Sequence, residues 1–294
     1  MSKRISECRA ILTYIGRFTQ DFQGGCMTVE VRVETYDHIV EITIDRPPAN
    51  AINPGVSQAI YEALSRLQNE DDLRIGIITG AGERIFSAGW DLEEIANFDN
   101  NEDAVNSAID SPGGFAGISE FWDLKKPVIS AINGMAVGGG FEIALATDLV
   151  IAADHAEFFL PEMQRGFLPD VGAIQILPRK LPYNVAMELL YTGRRMSAQE
   201  AAQWGLVCRV CPASELMSQA RALANEVAQG APLALQALKE VVPSIHTMPL
   251  PQAFAATKPG NTELPIYQKM LMSEDFMEGP RAFAEKRPPQ WKGK

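Results

Sequence analysis

Residues 127–158 read PVISAINGMAVGGGFEIALATDLVIAADHAEF. An apolar run leads into a glycine-rich turn, a helical stretch follows, and DLVIAADHAEF opens a second apolar run. Runs of this kind fit strands buried on both faces, and their alternation with helices predicts mainly parallel sheets in an α/β fold. RIGIITGAG, residues 74–82, has the same form. Within the quoted stretch, three consecutive glycines (Gly138–Gly140) stand at the head of a helix that carries one acid, Glu142, in an apolar run. A glycine inside a helix costs roughly 0.5–1 kcal/mol against alanine, so the backbone itself has a task there.

Upstream, TVEVRVETYDHIVEITID (28–45) alternates apolar and polar residues on both sides of Tyr36-Asp37, which predicts a hairpin with one buried face. After RPPANAIN (46–53), the spacing of Val56, Ile60, Leu64 and Leu67 predicts a helix entered near Pro54. From about Ser197 the text is helical: SAQEAAQWG, SELMSQARALANEVAQG, PLALQALKEVV and a last amphipathic segment in SEDFMEGPRAFAEKRPPQW. Residues 1–26 lack this patterning and read as a loose extension, with ordered chain from Met27; a transit peptide is the alternative reading. No linker or low-complexity segment divides the rest.

Composition excludes some functions. Lys+Arg 26 against Asp+Glu 37 leaves a net charge of -11, the wrong sign for a nucleic-acid groove or an anionic membrane. An anionic ligand must therefore be held by local features. No apolar run approaches the roughly 18 residues of a membrane span. Four cysteines in 294 residues make no disulfide framework, and a reducing, cytoplasmic setting is expected. Cys208 and Cys211 form a C-x-x-C in an apolar strand, GLVCRVCP, without a second pair; a coincidence of strand sequence is expected, and no metal site.

GMAVGGGFE lacks the lysine of a P-loop and the spacing of a dinucleotide fingerprint. What remains is a helix whose first-turn N–H groups carry partial positive charge and can hold an oxyanion, glycine allowing the ligand close. The alternative is that the glycines only permit tight packing. FSAGWDL (86–92) is a second turn after a strand, and FFLPEMQRGFLPDVGA (158–173) sets Glu162 in apolar company where an acid is paired or used. A salt bridge to Arg165 is the competing reading.

Taken together, these three stretches resemble the crotonase (enoyl-CoA hydratase/isomerase) superfamily over Met27 to Lys294. The resemblance implies a crotonase-like spiral of repeated ββα units (27–225) and a helical C-terminal region (226–294) used for trimerisation and for covering CoA. It further implies a homotrimer or hexamer (dimer of trimers) and an acyl-CoA thioester substrate, with CoA part of the substrate and no separate cofactor. By resemblance, Trp90 N–H and Gly139 N–H bind the thioester carbonyl, and Glu142 and Glu162 hold one water. Two acids crowded in an apolar pocket do not both ionise, so one keeps a proton. Asp170 matches a position where some relatives carry a further acid, and Gly172-Ala173 stands where the family often has two glycines.

SPGGFAGISEFWDLKKPVISAING, TGRRMSAQEAAQWG and the ending EGPRAFAEKRPPQWKGK are similar to the branch whose acyl group carries a trimethylammonium, crotonobetainyl-CoA and its hydrate. Aromatic faces attract such a cation, and Phe115, Phe121, Trp122 and Trp90 are expected near the acyl end. The resemblance places Arg46 near the CoA phosphates, Ala88 and Leu92 around the adenine, and Phe283 with Lys286 over the CoA. Hydration or dehydration is the favoured activity. A Δ3,Δ2-enoyl-CoA isomerase and a non-catalytic RNA-binding or scaffold member are the competing readings.

Overall fold

The computed structural model describes residues 30–97, 100, 111–260 and 263–294. The extension 1–26 and the expected start of order at Met27 lie outside them. The hairpin forms as β1 (Val31–Tyr36) and β2 (Ile39–Ile44), turning at Asp37 with φ 50°. Its burial differs from the expected single buried face. Along β1 only Val31 is buried, because β1 is the sheet edge, while β2 is covered nearly throughout. Glu41 of β2 is enclosed and meets the Arg221 guanidinium through two bonds of 2.8 and 2.9 Å.

Helix α1 (Pro54–Asn69) begins where Asn53 Oδ1 accepts the Val56 N–H at 2.7 Å, and buries the predicted stripe of Val56, Ile60, Leu64 and Leu67. Then the chain repeats a simple step. β3 (Ile75–Gly80) is followed by β4 (Ile85–Ser87) and the short α2 (Leu92–Ile95); β5 (Val128–Ile132) by β6 (Met135–Val137) and α3 (Gly139–Ala146); β7 (Leu149–Ala153) by β8 (Glu157–Phe159). The first strand of each pair joins one sheet, ordered β1-β2-β3-β5-β7-β10, and the second joins another, ordered β4-β6-β8-β9. Each step thus advances the chain by one strand in both sheets, which winds it into a spiral. Helices α4 (Ala173–Lys180) and α5 (Tyr183–Thr192), strand β9 (Met196–Ser197), helix α6 (Ala198–Gln203) and strand β10 (Arg209–Cys211) complete the layers.

All of β3 and β5 is buried, as apolar runs without alternation require, and α7 (Leu216–Ala228) packs over them. The C-x-x-C sits on and just before β10, each thiol directed to a β7 carbonyl, Cys208 to Val150 O and Cys211 to Ala152 O. The chain closes with α8 (Pro232–Ile245), α9 (Leu250–Ala256), α10 (Pro265–Leu271) and α11 (Glu274–Glu285), the last capped by Ser273 Oγ on Phe276 N–H. No helix of the described residues is long and apolar enough to cross a membrane.

Candidate active site

β4, β6 and β8 are parallel neighbours, so Ser87–Trp90, Gly138–Gly139 and Pro161–Glu162 leave their sheet at the same edge. Motifs separated by tens of residues converge there on a cavity that opens to solvent. Trp90, Gly139, Glu142 and Glu162 all line it, with Ala88 and Leu92 at the β4 side and Asp170 opposite.

Each glycine of the opening triplet answers a different close approach. A Cβ on Gly138, whose φ is +53°, would stand 2.3 Å from Glu162 Oε1. One on Gly139 would strike the Phe115 ring at 2.6 Å, and one on Gly140 the Ser87 carbonyl oxygen at 2.1 Å. All three glycines therefore serve tight packing, and Gly139 also presents an open backbone N–H. The N–H groups of Trp90 and Gly139 have no acceptor among the described residues. They lie close together, since Gly139 N is 2.6 Å from where a Cβ on Gly89 would be.

The two glutamates are enclosed, Glu142 2% and Glu162 6% exposed. Glu142 Oε1 accepts the Ala173 N–H at 2.9 Å, at the start of α4, so alanine in place of a second glycine leaves that helix start intact. Burial pushes the Glu142 carboxyl up to about 8, against the pull of the Ala173 N–H and with the repulsion of Glu162 and Asp170 added. Burial likewise pushes Glu162 up to about 7, opposed by its own N–H and by the charge of Arg165. Repulsion between the pair is mutual and falls on whichever ionises second, which is why the higher value carries it. Near neutral pH the pair holds about one proton. No ion pair joins Glu162 to Arg165 among the described residues, and Glu162 Oε2 is buried without a hydrogen-bond partner. A small polar molecule between the two carboxyls would satisfy it.

Of the four aromatics expected at the acyl end, only two are there. Trp90 and Phe115 line the cavity and meet edge to face, 6.3 Å apart at 87°. Phe121 packs on Tyr61 instead, and Trp122 is 74% exposed outside the cavity. Phe167 is the aromatic whose place at the cavity sequence reasoning missed; it stood in the Glu162 stretch, read only as apolar company. Arg46 is not a free cation: its guanidinium lies 2.6 Å from Asp91 and 3.0 Å from Glu30. Phe283, 88% exposed, and Lys286, at the C-terminal cap of α11, do not line the cavity of the single chain.

Residues 34–294 match the family described as Enoyl-CoA hydratase/isomerase. A carnitinyl-CoA dehydratase of Proteus mirabilis is 47% identical over 268 residues, covering 91% of this chain and all of that one. Another, from Salmonella arizonae, is 48% identical over 267 residues with the same coverage. Among solved structures, an enoyl-CoA hydratase from Mycobacterium marinum superposes with a TM-score of 0.80 at 38% identity, covering 90% of this chain and 99% of that one. One from Bacillus anthracis gives 0.80 at 35% identity, covering 90% and 100%.

Proposed function

The chain belongs to the enoyl-CoA hydratase/isomerase family, and from that premise we propose that it is a hydro-lyase that adds water to, or removes it from, an enoyl-CoA thioester, with crotonobetainyl-CoA and carnitinyl-CoA as the pair it interconverts. The observation that carries this reading is a pair of enclosed glutamates sharing about one proton, with one carboxylate oxygen unpartnered, across a cavity from two unbonded amide N–H groups. Water between the carboxyls would lose a proton to the ionised member as its oxygen attacks Cβ. The protonated member delivers its proton to Cα, and water's two parts are thereby added across the double bond. Negative charge that gathers on the thioester oxygen meets the Trp90 and Gly139 N–H groups; a donor of that kind is typically worth about 2.7–4 kcal/mol of barrier. Dehydration runs the same steps backwards. The acyl choice follows the carnitinyl-CoA dehydratases and the aromatic faces of Trp90, Phe115 and Phe167.

The test is hydration of crotonyl-CoA, crotonobetainyl-CoA and a 3-enoyl-CoA, followed by loss or gain of the conjugated enoyl absorbance. Glu142→Gln and Glu162→Gln should each lower kcat by about 10²-fold or more while still binding thioester. A full rate in either folded variant removes that residue from the mechanism. Asp170, a further acid at the cavity, keeps double-bond migration as a second reading, which turnover of the 3-enoyl-CoA without hydration would favour.

Self-association belongs to the same proposal. Large apolar side chains stand exposed on α8 to α11, among them Leu238, Leu250, Phe254, Phe276 and Phe283, a surface that a second and third copy would cover. Sedimentation should give a trimer or its multiple.

A further inference from the structure

The amide expected to face the thioester oxygen is held by a network that reaches two residues outside the cavity lining. Along Ala88–Asp91, each neighbouring N–H is occupied: Ala88 donates to Ala49 O at 2.9 Å, Gly89 to Ser87 Oγ at 3.1 Å, and Asp91 to Ile52 O at 3.0 Å. Among the described residues, Trp90 N–H alone in this stretch is left without an acceptor. The partner strip, Arg46–Ile52, is itself pinned. Asn50 sits at φ 51° and is buried, and its Nδ2 lies within 3.0–3.2 Å of the carbonyls of Ala81, Ile85 and Phe86. Its Oδ1 accepts the Arg46 N–H at 3.2 Å. Its own carbonyl accepts the Ser87 hydroxyl at 2.7 Å. Ser87 Oγ, fully buried, is thus the joint: it donates to Asn50 O and accepts from Gly89 N–H.

We propose that Ser87 and Asn50 are positioning residues for the oxyanion donor: they fix the peptide plane between Gly89 and Trp90 so that its N–H points into the cavity beside that of Gly139. This rests on the hydratase reading of the site. An amide that donates nowhere inside the protein gains nothing from its orientation in the folded chain, so the surrounding bonds set it. Carbonyls and amides on both sides of Trp90 are tied to one strip, which leaves the plane little freedom to turn. Arg46 closes the far side by holding Asp91, whose carboxylate also caps the first N–H groups of α2.

Ser87→Ala removes one buried oxygen and should fold. It is expected to lower kcat at least tenfold, since small misplacement at a reacting centre is costly, with KM for the thioester within about twofold and both limbs of the pH profile unmoved. Infrared difference spectra with a 13C-carbonyl enoyl-CoA, taken in the Glu162→Gln background, should show the bound thioester stretch returning toward its frequency in water when Ser87→Ala is added. Asn50→Gly, which keeps the left-handed backbone but loses the side chain, should move kcat and the stretch the same way. If the unmutated protein hydrates enoyl thioesters and Ser87→Ala leaves kcat and the stretch unchanged, the positioning role is overturned and the hydratase reading stands. A fall in kcat with moved pH limbs and an unchanged stretch also overturns it, as general loosening. Absence of any hydration by the unmutated protein removes the reading and this inference with it.

Discussion

Replacing either active-site glutamate by glutamine should make the protein more stable in alkaline solution while removing its activity. Glu142 is pushed from an ordinary 4.5 to about 8, and Glu162 from 4.5 to about 7. The folded state therefore keeps protons that the unfolded chain has released. Below pH 4.5 both states are protonated and nothing is lost; as pH rises through the interval to the folded value, stability falls, and above it the loss is complete. One pKa unit corresponds to about 1.4 kcal/mol, so each acid taken alone destabilises the folded chain by on the order of 3–5 kcal/mol at pH 8.5, Glu142 by the larger amount. Glutamine keeps an oxygen for the Ala173 N–H and carries no charge, so it escapes that loss. At roughly 2–4 °C per kcal/mol for a chain of this size, the variants should melt several degrees above the unmutated protein at pH 8.5 and level with it near pH 4.5. Thermal scans at fixed protein concentration across that range make the test. A melting difference that stays flat with pH, or that favours the unmutated protein at pH 8.5, refutes the reasoning, because neither glutamate would then be held protonated by its surroundings.

The same values predict that kcat/KM rises with a limb near 7 and falls with one near 8, since the reaction needs one proton on the pair; a plateau from pH 6 to 9 would contradict it. Gly138→Ala should lower kcat about 10²-fold, because its Cβ would lie 2.3 Å from Glu162 Oε1 at a φ of +53°, and the rate at saturating substrate in a folded variant is the measure. Trp90→Leu keeps the backbone amide, so it should retain most turnover of crotonyl-CoA and lose about two- to thirtyfold in preference for crotonobetainyl-CoA, the worth of about 0.5–2 kcal/mol of cation–aromatic attraction. Equal preference before and after the change would take the indole out of substrate choice.

The parallel strands, α1 and the C-terminal helices were legible because periodicity is local. Which faces are covered is not local, and β1 shows it: the alternation in VRVETY is real, yet an edge strand leaves all but Val31 uncovered. Glu142 and Glu162 were legible as acids in apolar text. The ion pairs of Arg46 were not legible, because its two carboxylates, Glu30 and Asp91, come from opposite sides in sequence, and pairing at such distance leaves no signature nearby. Trp122, in a stretch rich in aromatics, faces outward for the same reason: only the packed chain decides which way a loop turns. Asn50 is a polar residue in a loop until the carbonyls of Ala81, Ile85 and Phe86 are brought beside its amide, and Ser87 is an ordinary strand-end residue until the Asn50 carbonyl and the Gly89 N–H meet its hydroxyl.

Several features of the site each act against folding: two enclosed acids, a left-handed Gly138 and, among the described residues, amides at Trp90 and Gly139 and an oxygen of Glu162 without a partner. They gather at one edge, and the arrangement of strands explains why this is tolerated. β4, β6 and β8 are only three residues long, so little sheet is spent on the rim where the motifs emerge. Their companions β3 and β5 are six and five residues long and wholly buried, in the other sheet. The spiral thus separates the strands that supply core from the strands that end in chemistry, while joining them pairwise in sequence. A change that weakens the large sheet should therefore cost stability first and leave the catalytic geometry to the last, whereas changes at the ends of the short strands should do the reverse.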